Sequence, residues 1–148
     1  MAKNLEREVL RIIKSQKTCV VGSIDSDGVP NIKAMLRPRR TIDIHVIYFS
    51  TNTSSEHVRQ YLANPKASVY FYRRLPVFKG MLLKGTMDIL TDSDVKRALW
   101  EKGDEKYYSE GVGDADYCVM RFTASKGRIY SRMQSRDFDL SDARQGLL

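Results

Sequence analysis

The chain has 148 residues, 42% of them hydrophobic, and a formal net charge of +7, enough for one hydrophobic core and a single domain over residues 1–148. Lys3, Glu6, Arg7 and Glu8 interrupt any apolar leader, and no later run approaches the roughly 20 apolar residues of a membrane span, so a soluble, cytoplasmic protein is expected. Only "RPRR", residues 37–40, is densely basic; acidic residues intersperse the rest, which fits an anionic small ligand and makes nucleic acid an unlikely partner.

Residues 3–15 place Leu5, Val9, Ile12 and Ile13 at helical spacing, an amphipathic helix lying against a sheet. "TCVVGSID" and "VPNIKAML" then flank "SDG", and Asp-Gly between two apolar runs signals a hairpin. Alternation in the second strand puts Ile32, Ala34 and Leu36 on a buried face and Lys33, Met35 and Arg37 on the other. "IDIHVIYF" reads as the third strand, with His45 a structural residue inside it.

The next stretch, "STNTSSEHVRQYLANP", leaves that strand through six consecutive hydroxyl or amide side chains, Ser50 to Ser55. Ser54 or Ser55 caps a helix bearing Val58, Tyr61 and Leu62 and ended by Asn64-Pro65. Capping explains one hydroxyl. A run of six where a strand end meets a helix N-terminus matches an anion site, because unpaired amides and the helix dipole converge there. His57, Arg59 and Lys33 are placed to add positive charge.

"ASVYFY" is the fourth strand and "VFKGMLLKGTMDIL" a long fifth, in which Gly80 and Gly85 permit bends or bulges. "TDSDVKRALW" is a short helix capped by Thr91 or Asp92, with Val95, Ala98 and Leu99 at helical spacing. "YCVMRFTA" and "GRIYSRM" form a final pair around Lys126 and Gly127, and residues 134–148 are a polar tail, frayed or swapped. Cys19 and Cys118 sit in apolar runs without CxxC spacing, as buried reduced thiols and not as metal ligands. The expected fold is mainly β (α+β): a six- to seven-stranded antiparallel barrel with short flanking helices.

The order "GVPNIKAML", "VIYFSTNTSSEHVRQYLANPKASVYFY", "FKGMLLKGTMDIL" and "LWEKGDEKYYSEGVGDADYCVMRF" resembles the FMN-binding split barrel of the pyridoxamine 5'-phosphate oxidase-like superfamily, in its general stress protein 26-like branch, over roughly residues 5 to 130. The resemblance implies a homodimer with FMN at each of two subunit interfaces. Lys33 and the turn residues Ser50, Thr51, Ser54 and Ser55, with His57 beside them, would hold the phosphate. The backbone of Ala34, Met35 and Leu36 would run beneath the ring, and Lys79 would approach from the fifth strand, from the same subunit or its partner. Trp100, Tyr107, Tyr108 and Tyr130 are candidates for covering the flavin or for packing. No catalytic acid or base is implied.

Three departures from the oxidases shape the expected activity. Glu56 and His57 stand where they carry an Arg-Lys pair, Pro38 stands at their strand-two lysine, and the tail "SRMQSRDFDLSDARQGLL" lacks their Trp and Arg/His substrate motif. The implied function is therefore an FMN-dependent, flavin-reductase-like oxidoreductase served by a nicotinamide or other small reductant, not a pyridoxamine phosphate oxidase. Two alternatives stay open: the same barrel holding deazaflavin or haem, and a cofactor-free binding or stress-response module whose Arg37, Arg39 and Arg40 meet a partner.

Overall fold

The computed structural model describes residues 3–141. Helix α1 (Lys3–Ser15) is followed by strands β1 (Thr18–Ile24), β2 (Pro30–Leu36), β3 (Arg40–Ile42) and β4 (Val46–Asn52). Helix α2 (Glu56–Ala63), strands β5 (Lys66–Arg73) and β6 (Lys79–Leu90), helix α3 (Ser93–Leu99), two 3-10 turns (Asp104–Lys106 and Gly111–Gly113) and strands β7 (Tyr117–Ser131) and β8 (Gln134–Asp139) complete it. Seven strands follow one path, β2-β1-β5-β6-β7-β4-β3, with every pairing antiparallel, and β8 adds to β7 off that path.

Local chemistry explains much of this. In α1 the residues Leu5, Val9, Ile12 and Ile13 are all buried in the main core, as their spacing requires. The β1–β2 hairpin is closed by Asp25, whose Oδ1 accepts from the amides of Asp27 (2.9 Å) and Val29 (2.8 Å), and by Gly28 at φ 79. Gly85 sits at a bulge in β6, where a Cβ would strike the backbone of Thr123. Gly80 instead gives way to the rings of Tyr130 and Tyr70. Cys19 and Cys118 are buried and free.

Several elements differ from expectation. In β2 the buried face is reversed: Met35 is 9% exposed, while Ile32 and Leu36 are 72% and 66% exposed. The hairpin register is the cause, because Cys19 and Val21, both interior, lie opposite Met35 and Lys33. The run "IDIHVIYF" is not one strand: a turn at residues 43–45, with Asp43 at φ 50, splits it into β3 and β4 and places His45 in the turn. Leu62 and Ala98 are exposed, and α2 rests on Val58 and Tyr61, whose hydroxyl donates to the Gly22 carbonyl at 2.9 Å.

At the C-terminal end, Lys126 and Gly127 are not a turn but the middle of the continuous strand β7, where Gly127 leaves room for the Phe138 ring. The chain reverses instead at Arg132 and Met133, with φ of 51 and 64. Residues 134–139, expected as tail, pair with β7 as β8, fastened by Arg128 to Asp137 (2.6 Å) and followed by the buried Leu140. The rest of the expected tail, residues 142–148, lies outside the described residues.

A second, smaller core of Leu99, Tyr108, Tyr117 and Val119 forms beneath α3, with Tyr48, Trp100 and Val112 packed against it. It matters to function because it carries Tyr108 to the edge of a cavity.

Candidate functional site

The register of β2 turns Lys33 to the inward side of the sheet, where it reaches the first turn of α2. There His57, 2% exposed, stands between three groups. Lys33 Nζ lies 3.4 Å from its Nδ1, and Thr51 Oγ1 and Ser55 Oγ lie 3.0 and 3.4 Å from its Nε2. Burial, and after it the neighbouring Lys33 charge, hold His57 down at about 4, so the ring is neutral at pH 7.

The six polar side chains between strand and helix divide their work. Ser50 Oγ is buried with no hydrogen-bond partner, and Thr51 is buried against His57. Asn52, Thr53 and Ser54 face another way. Asn52 Nδ2 and the Ser54 amide donate to the Asp116 carboxylate at 2.9 and 2.8 Å, and Thr53 Oγ1 donates to the Ala115 carbonyl at 3.1 Å. Hydrogen bonds from Asn52 and then Ser54 hold the Asp116 carboxyl below the usual carboxylate range. Ser55 precedes the helix as its N-cap residue but caps no amide; its hydroxyl donates to the Asn52 carbonyl at 2.6 Å.

Beside this turn lies a cavity of about 210 Å³. Lys33, Ala34, Met35 and Leu36 form one wall, Ser50, Thr51 and Asn52 the end, and Tyr107 and Tyr108 the side opposite, with Arg37 and Arg39 at the rim. Of the expected site residues the cavity thus gathers Lys33 to Leu36, Ser50 and Thr51. His57 stands behind it, while Ser54 and Ser55 serve the turn itself. Lys79 does not line it: it is paired with Glu8 of α1, which also meets Arg136 at 3.0 Å. Tyr107 and Tyr108 line the cavity; Trp100 packs behind them, its ring 5.2 Å from that of Tyr117. Tyr130 sits elsewhere, stacked with Tyr70 on the outer face. Glu56 is exposed, where it accepts from Gln60 Nε2 at 3.3 Å.

Two parts of the arrangement escaped the sequence. Arg39 makes a two-point ion pair with the buried Asp104, which joins the segment after β2 to the 3-10 turn ahead of Tyr107. Asp116 pins the polar turn from 62 residues beyond Ser54. Neither has a local signal, since the partners lie 65 and 62 residues apart in the chain. The gathered groups suit an anion: the Lys33 ammonium, the Ser50 and Thr51 hydroxyls, Arg37 and Arg39 at the rim, and no carboxylate in the lining. Among the described residues no cluster of His, Cys, Asp and Glu could hold a metal ion, and no helix is long and apolar enough to cross a membrane.

Comparison with known proteins agrees with this architecture. The family model for pyridoxamine 5'-phosphate oxidase matches residues 5–131. The chain is similar to the crystal structure of a Clostridium acetobutylicum protein related to general stress protein 26, of the pyridoxinephosphate oxidase family. That match has 33% identity and a TM-score of 0.85, over 96% of this chain and 99% of that one. The general stress protein 26 of Bacillus anthracis shares the fold at 22% identity and a TM-score of 0.74, over 93% and 99% of the two chains. So does a heme binding protein from Mycobacterium smegmatis, at 15% identity and a TM-score of 0.74, over 94% of this chain and 59% of that one. Among curated proteins none matches. A family model spanning most of the chain, and a structural relative aligned nearly end to end with it, establish that the chain belongs to the pyridoxamine 5'-phosphate oxidase family and has its split-barrel fold.

Proposed function

We propose that the chain is an FMN-binding flavoprotein that works as a homodimer, with an oxidoreductase activity of the flavin-reductase kind. The observation that carries this reading is the grouping of Lys33, Ser50 and Thr51 along one cavity, with the Ser50 hydroxyl itself buried and unpaired. An unpaired buried hydroxyl costs free energy unless a ligand completes it, and a phosphate oxygen is the acceptor that suits a hydroxyl beside an ammonium. Lys33 would supply the charge, Ser50 and Thr51 the short donors. The backbone of Ala34 to Leu36 would lie along one ring face and Tyr107 and Tyr108 would close the other side. Lys79 would come from the partner subunit.

Two features support the dimer. A cavity of about 210 Å³ is smaller than the roughly 300 Å³ at which ligand pockets begin, so a second wall is needed. The outer face next to it carries exposed Ile32, Leu36, Tyr72 and Phe78, an apolar surface suited to a second copy. When bound, FMN supplies hydride and single-electron transfer between a small reductant such as a reduced nicotinamide and an acceptor. The proposal does not extend to oxidation of pyridoxamine phosphate, because Pro38 replaces the lysine those oxidases carry on this strand.

The test is the visible spectrum of purified protein incubated with excess FMN and desalted, followed by mass analysis of what acid releases. Flavin bands with about one FMN per protomer support the reading. A colourless protein that fails to quench FMN fluorescence overturns it, and a haem or deazaflavin spectrum from the purified protein replaces FMN with that group.

A further inference from the structure

We infer that His57 is a positioning residue of this site: its imidazole, protonated only on Nε2, holds the Lys33 ammonium through Nδ1 and turns the Thr51 hydroxyl proton into the cavity. The inference rests on the phosphate reading given above and assigns the residue that orients the phosphate donors without touching the ligand. Its starting point is hydrogen-bond polarity. An ammonium can only donate, so the ring nitrogen facing Lys33, Nδ1 at 3.4 Å, must be the bare acceptor. A neutral imidazole has one proton, which therefore sits on Nε2.

That proton goes to Thr51. Of the two hydroxyl oxygens near Nε2, Thr51 Oγ1 is the nearer at 3.0 Å, against 3.4 Å for Ser55, whose own proton is already given to the Asn52 carbonyl at 2.6 Å. Thr51 Oγ1 thus accepts from His57, and its own O–H has no acceptor among the described residues. Thr51 lines the cavity, so that proton is available to an anion there. Lys33, Nδ1, Nε2 and Thr51 form a chain of donors pointing one way, from the ammonium to the hydroxyl.

The ring's neutrality at pH 7, set by burial and the Lys33 charge, is what lets it act as an acceptor. A doubly protonated ring would present N–H to an ammonium and break the chain at its first link. Carboxylates do not interfere: Glu56 points to Gln60, and Asp116 is engaged by Asn52 and Ser54. Tyr61 meets the ring edge-on, with centroids 6.2 Å apart, and fixes its plane without taking a hydrogen bond from it.

Two measurements test this on the full chain. Nitrogen-15 NMR of the ligand-free wild type near pH 7 should show His57 as the Nε2–H form; an Nδ1–H form or an imidazolium overturns the inference. His57→Leu should then weaken FMN binding about tenfold, roughly the loss of one hydrogen bond to a charged group, while leaving riboflavin, which lacks the phosphate, within about twofold. Equal loss for both flavins, or none for FMN, overturns it, and His57→Gln serves if the leucine variant does not fold. Should the wild type take up neither flavin, the FMN reading falls and inorganic phosphate becomes the probe. A His57 signal that moves on phosphate addition in wild type but not in Thr51→Val upholds the donor chain, and a signal that stays still in wild type overturns it.

Discussion

Arg39 and Asp104 meet in a two-point ion pair, Nη1 to Oδ2 at 3.0 Å and Nη2 to Oδ1 at 2.7 Å, and the Asp104 carboxylate also accepts the Glu101 amide at 2.9 Å. The pair ties the end of β2 to the turn before Tyr107 and Tyr108, so one wall of the cavity hangs on it. Removing Asp104 leaves the largely buried Arg39 with only the exposed Glu101 carboxylate, at 2.9 Å, and removing Arg39 leaves the buried Asp104 without a counter-charge. Asp104→Ala is expected to cost about 3 kcal/mol in urea unfolding, and the double variant Arg39→Met/Asp104→Leu to recover most of it. A loss under about 1 kcal/mol would mean that solvent already screens the pair.

Ser50 offers the opposite balance. Its buried hydroxyl has no partner to lose, so Ser50→Ala should leave the ligand-free protein as stable or up to about 1 kcal/mol more stable. The same change should weaken FMN by about tenfold through one lost donor. Equilibrium unfolding and fluorescence titration of one variant decide both halves; a destabilised variant with full FMN affinity contradicts the assignment of Ser50.

The depressed His57 ring makes stability depend on pH with a definite sign. Unfolded, the ring titrates near 6.5; folded, near 4. Between these values the unfolded chain binds a proton that the native chain does not, so stability is full above about 6.5, falls as pH drops, and levels off below about 4. The whole loss should be on the order of 3 kcal/mol, about 2 kcal/mol of it between about pH 6.5 and 5. Glu8 and Asp116 also lose stabilising charge in acid, but their carboxyls are held below 4.5 and 3.8, so the interval from pH 6.5 to about 5 isolates the histidine. Urea midpoints across that interval should slope in wild type and run nearly flat in His57→Leu; parallel slopes would remove His57 as the cause.

The exposed row on β2 predicts assembly. Ile32→Glu/Leu36→Glu should convert a dimer to a monomer in light scattering while far-UV dichroism is kept, because both side chains already face water in a single protomer. FMN binding should fall with it. A double variant that stays dimeric would move the interface to another face.

How much was legible in the sequence depended on whether the signal was local. The face of α1 was readable because its four apolar residues recur at helical spacing, and the polar turn was readable because its hydroxyls are consecutive. Alternation in β2 gave the period but not the face, since Met35 and Leu36 are both apolar; the hairpin register chooses, and it points Leu36 outward. Strand β8 was hidden because its turn, Arg132–Met133, uses left-handed backbone without glycine or asparagine. In the site, Lys33, Ser50 and Thr51 were visible as part of a motif. Asp104 and Asp116 were not, because nothing near them in the chain announces a partner 60 or more residues away.

Strand β7 lies between β6 and β4, and its 15 residues follow both of them in the chain. Until it emerges, β4 has only the three-residue β3 beside it and one flank of β6 is bare, with Ile47, Phe49 and Met87 facing water. Barrel closure must therefore wait for pairings that span some 70 positions, which makes folding slow. The nascent chain through Leu90 is the species on which chaperone cover and aggregation would compete.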